Sequence, residues 1–197
     1  MAKTMVNMTK FSALVLCGGQ GRRMGGEDKG LLLWRAKPMI QWISELLRPL
    51  TTELIISCNR HLDEYRKYAD AIVTDVEDSY PGPLAGIRAG LDISTGEYLL
   101  VLPCDAPLMD TDLVMALFEC AKNSKNRPVM VRQNGVWQPL FCVIPTCLKS
   151  TIEQAWAEGQ RSPRDLLLSL NAQALDCDVN DPRLSNINTL EQLNEQH

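Results

Sequence analysis

Between Leu14 and Gly30 the chain reads Leu-Val-Leu-Cys-Gly-Gly-Gln-Gly-Arg-Arg-Met-Gly-Gly-Glu-Asp-Lys-Gly, which gathers half of the protein's 12 glycines behind a short apolar run. Glycines allow successive backbone N–H groups to converge on an anion without interference from Cβ atoms. Arg22, Arg23 and Lys29 add the positive charge that a triphosphate requires. Spacing excludes two common phosphate loops. The dinucleotide pattern G-x-G-x-x-G fails because Met24 stands where its last glycine belongs, and the P-loop pattern fails because Asp28 precedes Lys29.

A second chemical feature lies in Tyr98-Leu99-Leu100-Val101-Leu102-Pro103-Cys104-Asp105-Ala106-Pro107, an apolar strand that ends on an aspartate flanked by prolines. In open α/β sheets the carboxyl ends of strands face the ligand crevice, so Asp105 is placed to hold a Mg²⁺ ion that bridges phosphate oxygens. It could instead cap the following helix. The metal reading gains from the glycine loop, which supplies the phosphates for such an ion to bridge.

These residues need a scaffold, and the composition is that of a globular one. The 197 residues are 45% hydrophobic and 22% charged, with a net charge of -4, a balance that argues against a nucleic-acid coat while leaving room for a local anion site. The seven cysteines are odd in number and lack zinc-type spacing, so reduced, mostly buried thiols and a cytoplasmic setting are expected. No apolar run is long enough for a membrane span. Residues 1–10 read as a disordered extension ahead of one domain, 11–197.

Apolar runs at 12–17, 53–57, 71–73, 98–102, 129–132 and 140–144 predict strands covered on both faces. Helical patterns lie between them, including 38–48 behind Pro38 and 146–158 ahead of Gly159. The fold class is therefore α/β, a three-layer α/β/α Rossmann-like domain with a mostly parallel sheet. The less regular region 122–164 is expected to supply an antiparallel edge. The nucleotide-binding half is expected at about 11–110 and the acceptor-binding half at about 111–197.

The run Arg22-Arg23-Met24-Gly25-Gly26-Glu27-Asp28-Lys29-Gly30 resembles the molybdenum cofactor guanylyltransferases of the nucleotidyltransferase superfamily. So do Tyr80-Pro81-Gly82-Pro83-Leu84-Ala85-Gly86, the Asn59-Arg60-His61 run and Asn186-Ile187-Asn188-Thr189, in the same order. The chain departs from the family at Ser57, commonly Asn, at Gln138, commonly His, and at Leu190, commonly Pro. The resemblance implies GMP transfer from Mg²⁺-bound GTP to a molybdopterin-type acceptor, with release of pyrophosphate. It further implies Arg23, Lys29 and Asp105 as catalytic residues, with Asp105 as the metal ligand. Leu16, Cys17, Gly18, Gly19, Lys29, Ser57, Asn59, Asp75, Gly82 and Asp105 would bind the nucleotide, and Gln138, Asn186 and Asn188 the acceptor. Partners implied are molybdenum-insertion proteins and apo-molybdoenzymes, with no nucleic acid or membrane, around a monomer. A cytidylyltransferase is the nearest alternative, although Gly18-Gly19 favours guanine. A nucleotide-binding cofactor-delivery protein without turnover would not need both cations and the metal ligand.

Overall fold

A computed structural model describes residues 10–17, 28–74 and 82–187. The expectations placed on residues 1–9, Gly18, Gly19, Arg23, Asp75 and Asn188 lie outside these described residues.

The buried runs of the sequence become strands: β1 (Phe11–Leu16), β4 (Glu53–Ser57), β5 (Ala71–Val73), β6 (Tyr98–Pro103), β7 (Val129–Gln133), β8 (Val136–Pro145) and β9 (Gln173–Cys177). They form a seven-stranded sheet in the order β5-β4-β1-β6-β8-β7-β9. Every neighbouring pair is parallel except those made by β8, which runs against both β6 and β7. Two short strands, β2 (Leu33–Trp34) and β3 (Lys37–Pro38), form a separate hairpin.

All six residues of β1 are buried, because helices cover both faces of the sheet. Phe11, Ala13 and Val15 point into a core shared with α1 (Met39–Leu47), α2 (Leu62–Tyr65) and α4 (Thr111–Asn123). Leu14 and Leu16 point the other way, toward α3 (Pro83–Ile93), α5 (Lys149–Ala157) and α6 (Pro163–Ser169). That alternation along one strand is the three-layer α/β/α arrangement.

Helix α3 lies unusually close to the sheet. A Cβ on Gly86 would stand 2.5 Å from Ser57 Oγ and 2.9 Å from Leu16 Cδ2, so only glycine permits this approach. Gly82, ahead of Pro83, has φ of 88°, a conformation that other residues rarely adopt. Together they bring the start of α3 to the carboxyl ends of β1 and β4.

Two expectations need correction, and two further features were not foreseen. The antiparallel strand is internal, because the tight turn at Asn134 and Gly135 (φ 48° and 75°) folds β8 back between β7 and β6, and β9 covers the far side of β7. The helix expected over 146–158 is a 3₁₀ turn, Thr146–Leu148, followed by α5. The β2–β3 hairpin and β9 carry too little apolar periodicity to stand out in the sequence. Trp34 and pairing with β7, respectively, hold them in place.

Candidate active site

Strand order reverses around β1: the chain moves from β1 out to β4 and β5, then returns to β6 on the opposite side of β1. The carboxyl ends of β1 and β6 therefore lie side by side, at the place where open α/β sheets bind their ligands. Leu16 and Cys17 stand at the end of β1, and Pro103, Cys104 and Asp105 at the end of β6, with Cys104 N–H donating to Leu16 O at 3.2 Å. Cys17 N–H donates to Ser57 O at 2.8 Å, so this amide is engaged within the sheet.

Lys29 follows the glycine loop in a single 3₁₀ turn, Lys29–Leu31. Asp28 caps that turn by accepting from Gly30 N–H at 3.2 Å. Lys29 Nζ donates to Asp105 Oδ2 at 3.1 Å, and the two side chains are 27% and 14% exposed. Residues 76 positions apart thus meet beyond the carboxyl end of β6.

The helix-cap reading of Asp105 does not hold. Helix α4 begins at Thr111, and its cap is Asp110, whose side chain accepts from Leu113 N–H at 2.9 Å. Asp105 stands ahead of that helix, paired with a cation. It offers a hard oxygen donor of the kind Mg²⁺ prefers. Among the described residues no cluster of three or more His, Cys, Asp or Glu side chains is placed to hold a metal ion alone. A carboxylate of this kind fits Mg²⁺ that takes its remaining ligands from substrate phosphates and water, as that ion commonly does.

The end of the described chain returns to the same place. Ile187 N–H donates to Asp105 O at 2.8 Å, while its side chain packs with Trp34 and Met39 in a small core of their own. Asn186 therefore lies beside the Asp105 turn. Gln138 is on the carboxyl-end side of the sheet, where the β7–β8 ladder jumps from Met130 opposite Cys142 to Val131 opposite Gln138. Pro139, Leu140 and Phe141 bulge there, and the β6–β8 ladder ends at Val101 opposite Cys142.

The remaining sites differ in exposure. Ser57 is buried beneath α3, whereas Asn59, two residues further on, is exposed. Gly82 is also exposed. His61 starts α2 from the left-handed region (φ 53°) and is exposed, in keeping with a solvated helix start. Asp28 and Tyr65 carry a contact that the sequence did not signal: Tyr65 Oη donates to Asp28 Oδ1 although the two lie 37 positions apart.

Residues 13–174 match the family model of the MobA-like NTP transferase domain, and the chain belongs to that family of nucleotidyltransferases. It is 53% identical to the molybdenum cofactor guanylyltransferase of Ectopseudomonas mendocina, across 92% of this chain and 89% of that one. It is 52% identical to the Pseudomonas aeruginosa PAO1 protein of the same name, across 92% of each. Among solved structures, the molybdopterin-guanine dinucleotide biosynthesis protein A of Archaeoglobus fulgidus superposes with a TM-score of 0.73 at 20% identity, covering 93% of this chain and 95% of that one. The 2-C-methyl-D-erythritol 4-phosphate cytidylyltransferase of Thermus thermophilus shares the fold as well, at a TM-score of 0.72, 14% identity and coverage of 95% and 97%.

Proposed function

We propose that this protein transfers GMP from Mg²⁺-bound GTP to the terminal phosphate of a molybdopterin-type acceptor and releases pyrophosphate. The observation that carries the reading is the Lys29–Asp105 pair at the carboxyl ends of the central strands, where a cation meets a carboxylate of the kind Mg²⁺ prefers. The names of relatives at 52–53% identity supply the guanylyl group and the acceptor.

The acceptor phosphate is already ionised near neutral pH, so the reaction needs no strong base. In-line positioning and charge neutralisation lower the barrier. Asp105 would hold Mg²⁺, which when bound neutralises triphosphate charge. Lys29 exchanges part of its contact with Asp105 for phosphate oxygens, and Arg23 adds a second cation as pyrophosphate departs. Leu16, Cys17, Gly18, Gly19, Ser57, Asn59, Asp75 and Gly82 shape the nucleotide side, within the half at about 11–110. Gln138, Asn186 and Asn188 serve the acceptor from the half at about 111–197. Molybdenum-insertion proteins and apo-molybdoenzymes would take up the product in the cytoplasm.

The test is to incubate the protein with molybdopterin and each Mg·NTP in turn, and to identify the nucleotide that the product releases on hydrolysis. GMP from GTP is expected. Comparable incorporation of CMP, or tight binding of CTP in a competition titration, would replace the guanylyl assignment with a cytidylyl one.

A further inference from the structure

Tyr65 is completely buried at the end of α2, in the same core cluster as Cys17, Cys58 and Cys104. Those cysteines follow directly after β1, β4 and β6, so they form a floor of thiols under the carboxyl edge of the sheet. Thiols are weak hydrogen-bond partners, and a hydroxyl buried without a good partner costs free energy that a phenylalanine would avoid. The hydroxyl of Tyr65 finds that partner in Asp28, to which it donates.

The same Asp28 oxygen accepts from Gly30 N–H at 3.2 Å, and Asp28 O accepts from Leu31 N–H at 3.1 Å. The Tyr65 ring lies against Gly30, where a Cβ would come within 3.2 Å of both Cε1 and Cζ. The residues on either side of Lys29 are thus held by one phenol, through a hydrogen bond on one side and ring contact on the other. The arrangement also turns the Asp28 carboxylate toward protein donors, so that its charge is engaged there.

We propose that Tyr65 and Asp28 are positioning residues that fix where Lys29 stands, so that the Tyr65 hydroxyl controls the phosphate contact without touching substrate. The inference rests on the reading of Lys29 as a phosphate ligand. Partners of this kind, one step behind a ligating group, are commonly worth tenfold to a hundredfold in activity.

The experiment is a double-mutant cycle on pyrophosphate release from Mg·GTP with molybdopterin as acceptor, with separate kcat and KM values and a melting midpoint for every variant. Tyr65→Phe keeps the ring that fills the core, and it is expected to lower kcat/KM by about tenfold to a hundredfold with a midpoint within about 4 °C of the parent. Lys29→Ala should lose at least as much, and the double variant should be no slower than Lys29→Ala alone. Asp28→Asn should keep more activity than Asp28→Ala, because an amide oxygen still accepts both bonds. If Lys29→Ala is as active as the parent, the phosphate reading falls and this inference with it. If Lys29→Ala is slow but Tyr65→Phe matches the parent, or the two losses multiply in the double variant, the positioning role is refuted while the phosphate reading stands.

Discussion

Lys29 Nζ stands 3.1 Å from Asp105 Oδ2, an ion pair that ties the turn after the glycine loop to the end of β6. Both partners are partly exposed, so the pair is a weak contributor to stability. Lys29→Ala should therefore shift unfolding by less than about 0.5 kcal/mol while weakening GTP use by far more. Urea unfolding beside a GTP titration separates the two quantities. Unchanged GTP affinity together with an unchanged rate of pyrophosphate release would remove the glycine loop from the phosphate site.

Asp105→Ala is expected to abolish turnover and leave the fold intact, because the cap of α4 belongs to Asp110. Asp105→Asn should be severely impaired as well, since a neutral amide is a poor Mg²⁺ ligand. The check is turnover across a Mg²⁺ titration, with circular dichroism to monitor the fold. A parental rate with parental Mg²⁺ dependence would leave Asp105 without a role in metal binding.

Gly86→Ala sets two effects against each other. Helix propensity favours alanine by about 0.8–1 kcal/mol, but the new methyl would lie 2.5 Å from Ser57 Oγ and 2.9 Å from Leu16 Cδ2. Overpacking of this kind costs about 1–3 kcal/mol, so a net loss of stability is expected. Adding Ser57→Ala should recover part of it. A Gly86→Ala variant more stable than the parent would mean that α3 can move away from the sheet at little cost.

Alkaline pH should destabilise the protein from about pH 9 upward. Burial, and then the charge of Asp28, raise Cys58 from its ordinary value of 9.0 to about 12, and burial and the bond to Cys104 push Cys17 well above its ordinary value. Above pH 9 the unfolded chain releases these protons while the folded chain keeps them. The folded state then binds more protons, and stability falls as pH rises from 9 toward 12. Unfolding midpoints measured across that range should decline steadily. A flat profile would show that the thiols ionise in the fold as readily as in the open chain.

All seven cysteines are free, in line with the odd count. Cys17, Cys58, Cys104 and Cys142 are buried, whereas Cys147 is exposed. A thiol reagent should label Cys147 first and reach the buried four only on unfolding. Reductant should leave activity unchanged, and a loss on mild reduction with a matching fall in melting temperature would contradict this.

The signals that proposed the candidate site from the sequence are local. A glycine cluster behind an apolar run suggests a phosphate loop, and a carboxylate at the end of a buried strand suggests a ligand crevice, from a few consecutive residues alone. The order of motifs was enough to suggest the family, and the continuous apolar runs of β1 and β6 already required helices on both faces. Local pattern could not distinguish a metal ligand from a helix cap at Asp105, since both readings place an aspartate ahead of a helix.

Only the tertiary structure removed the cap reading, by giving the cap to Asp110, and brought Lys29 across to Asp105. It also set β8 inside the sheet, placed β9 on its edge and joined Tyr65 to Asp28. The physical reason is common to all of these. Strand order and long-range hydrogen bonds depend on which distant surfaces bury one another most completely, and the residue types along a single segment do not encode that choice. The sequence by itself determined the chemistry available and the class of fold that carries it. The packing of distant segments determined which of those groups meet.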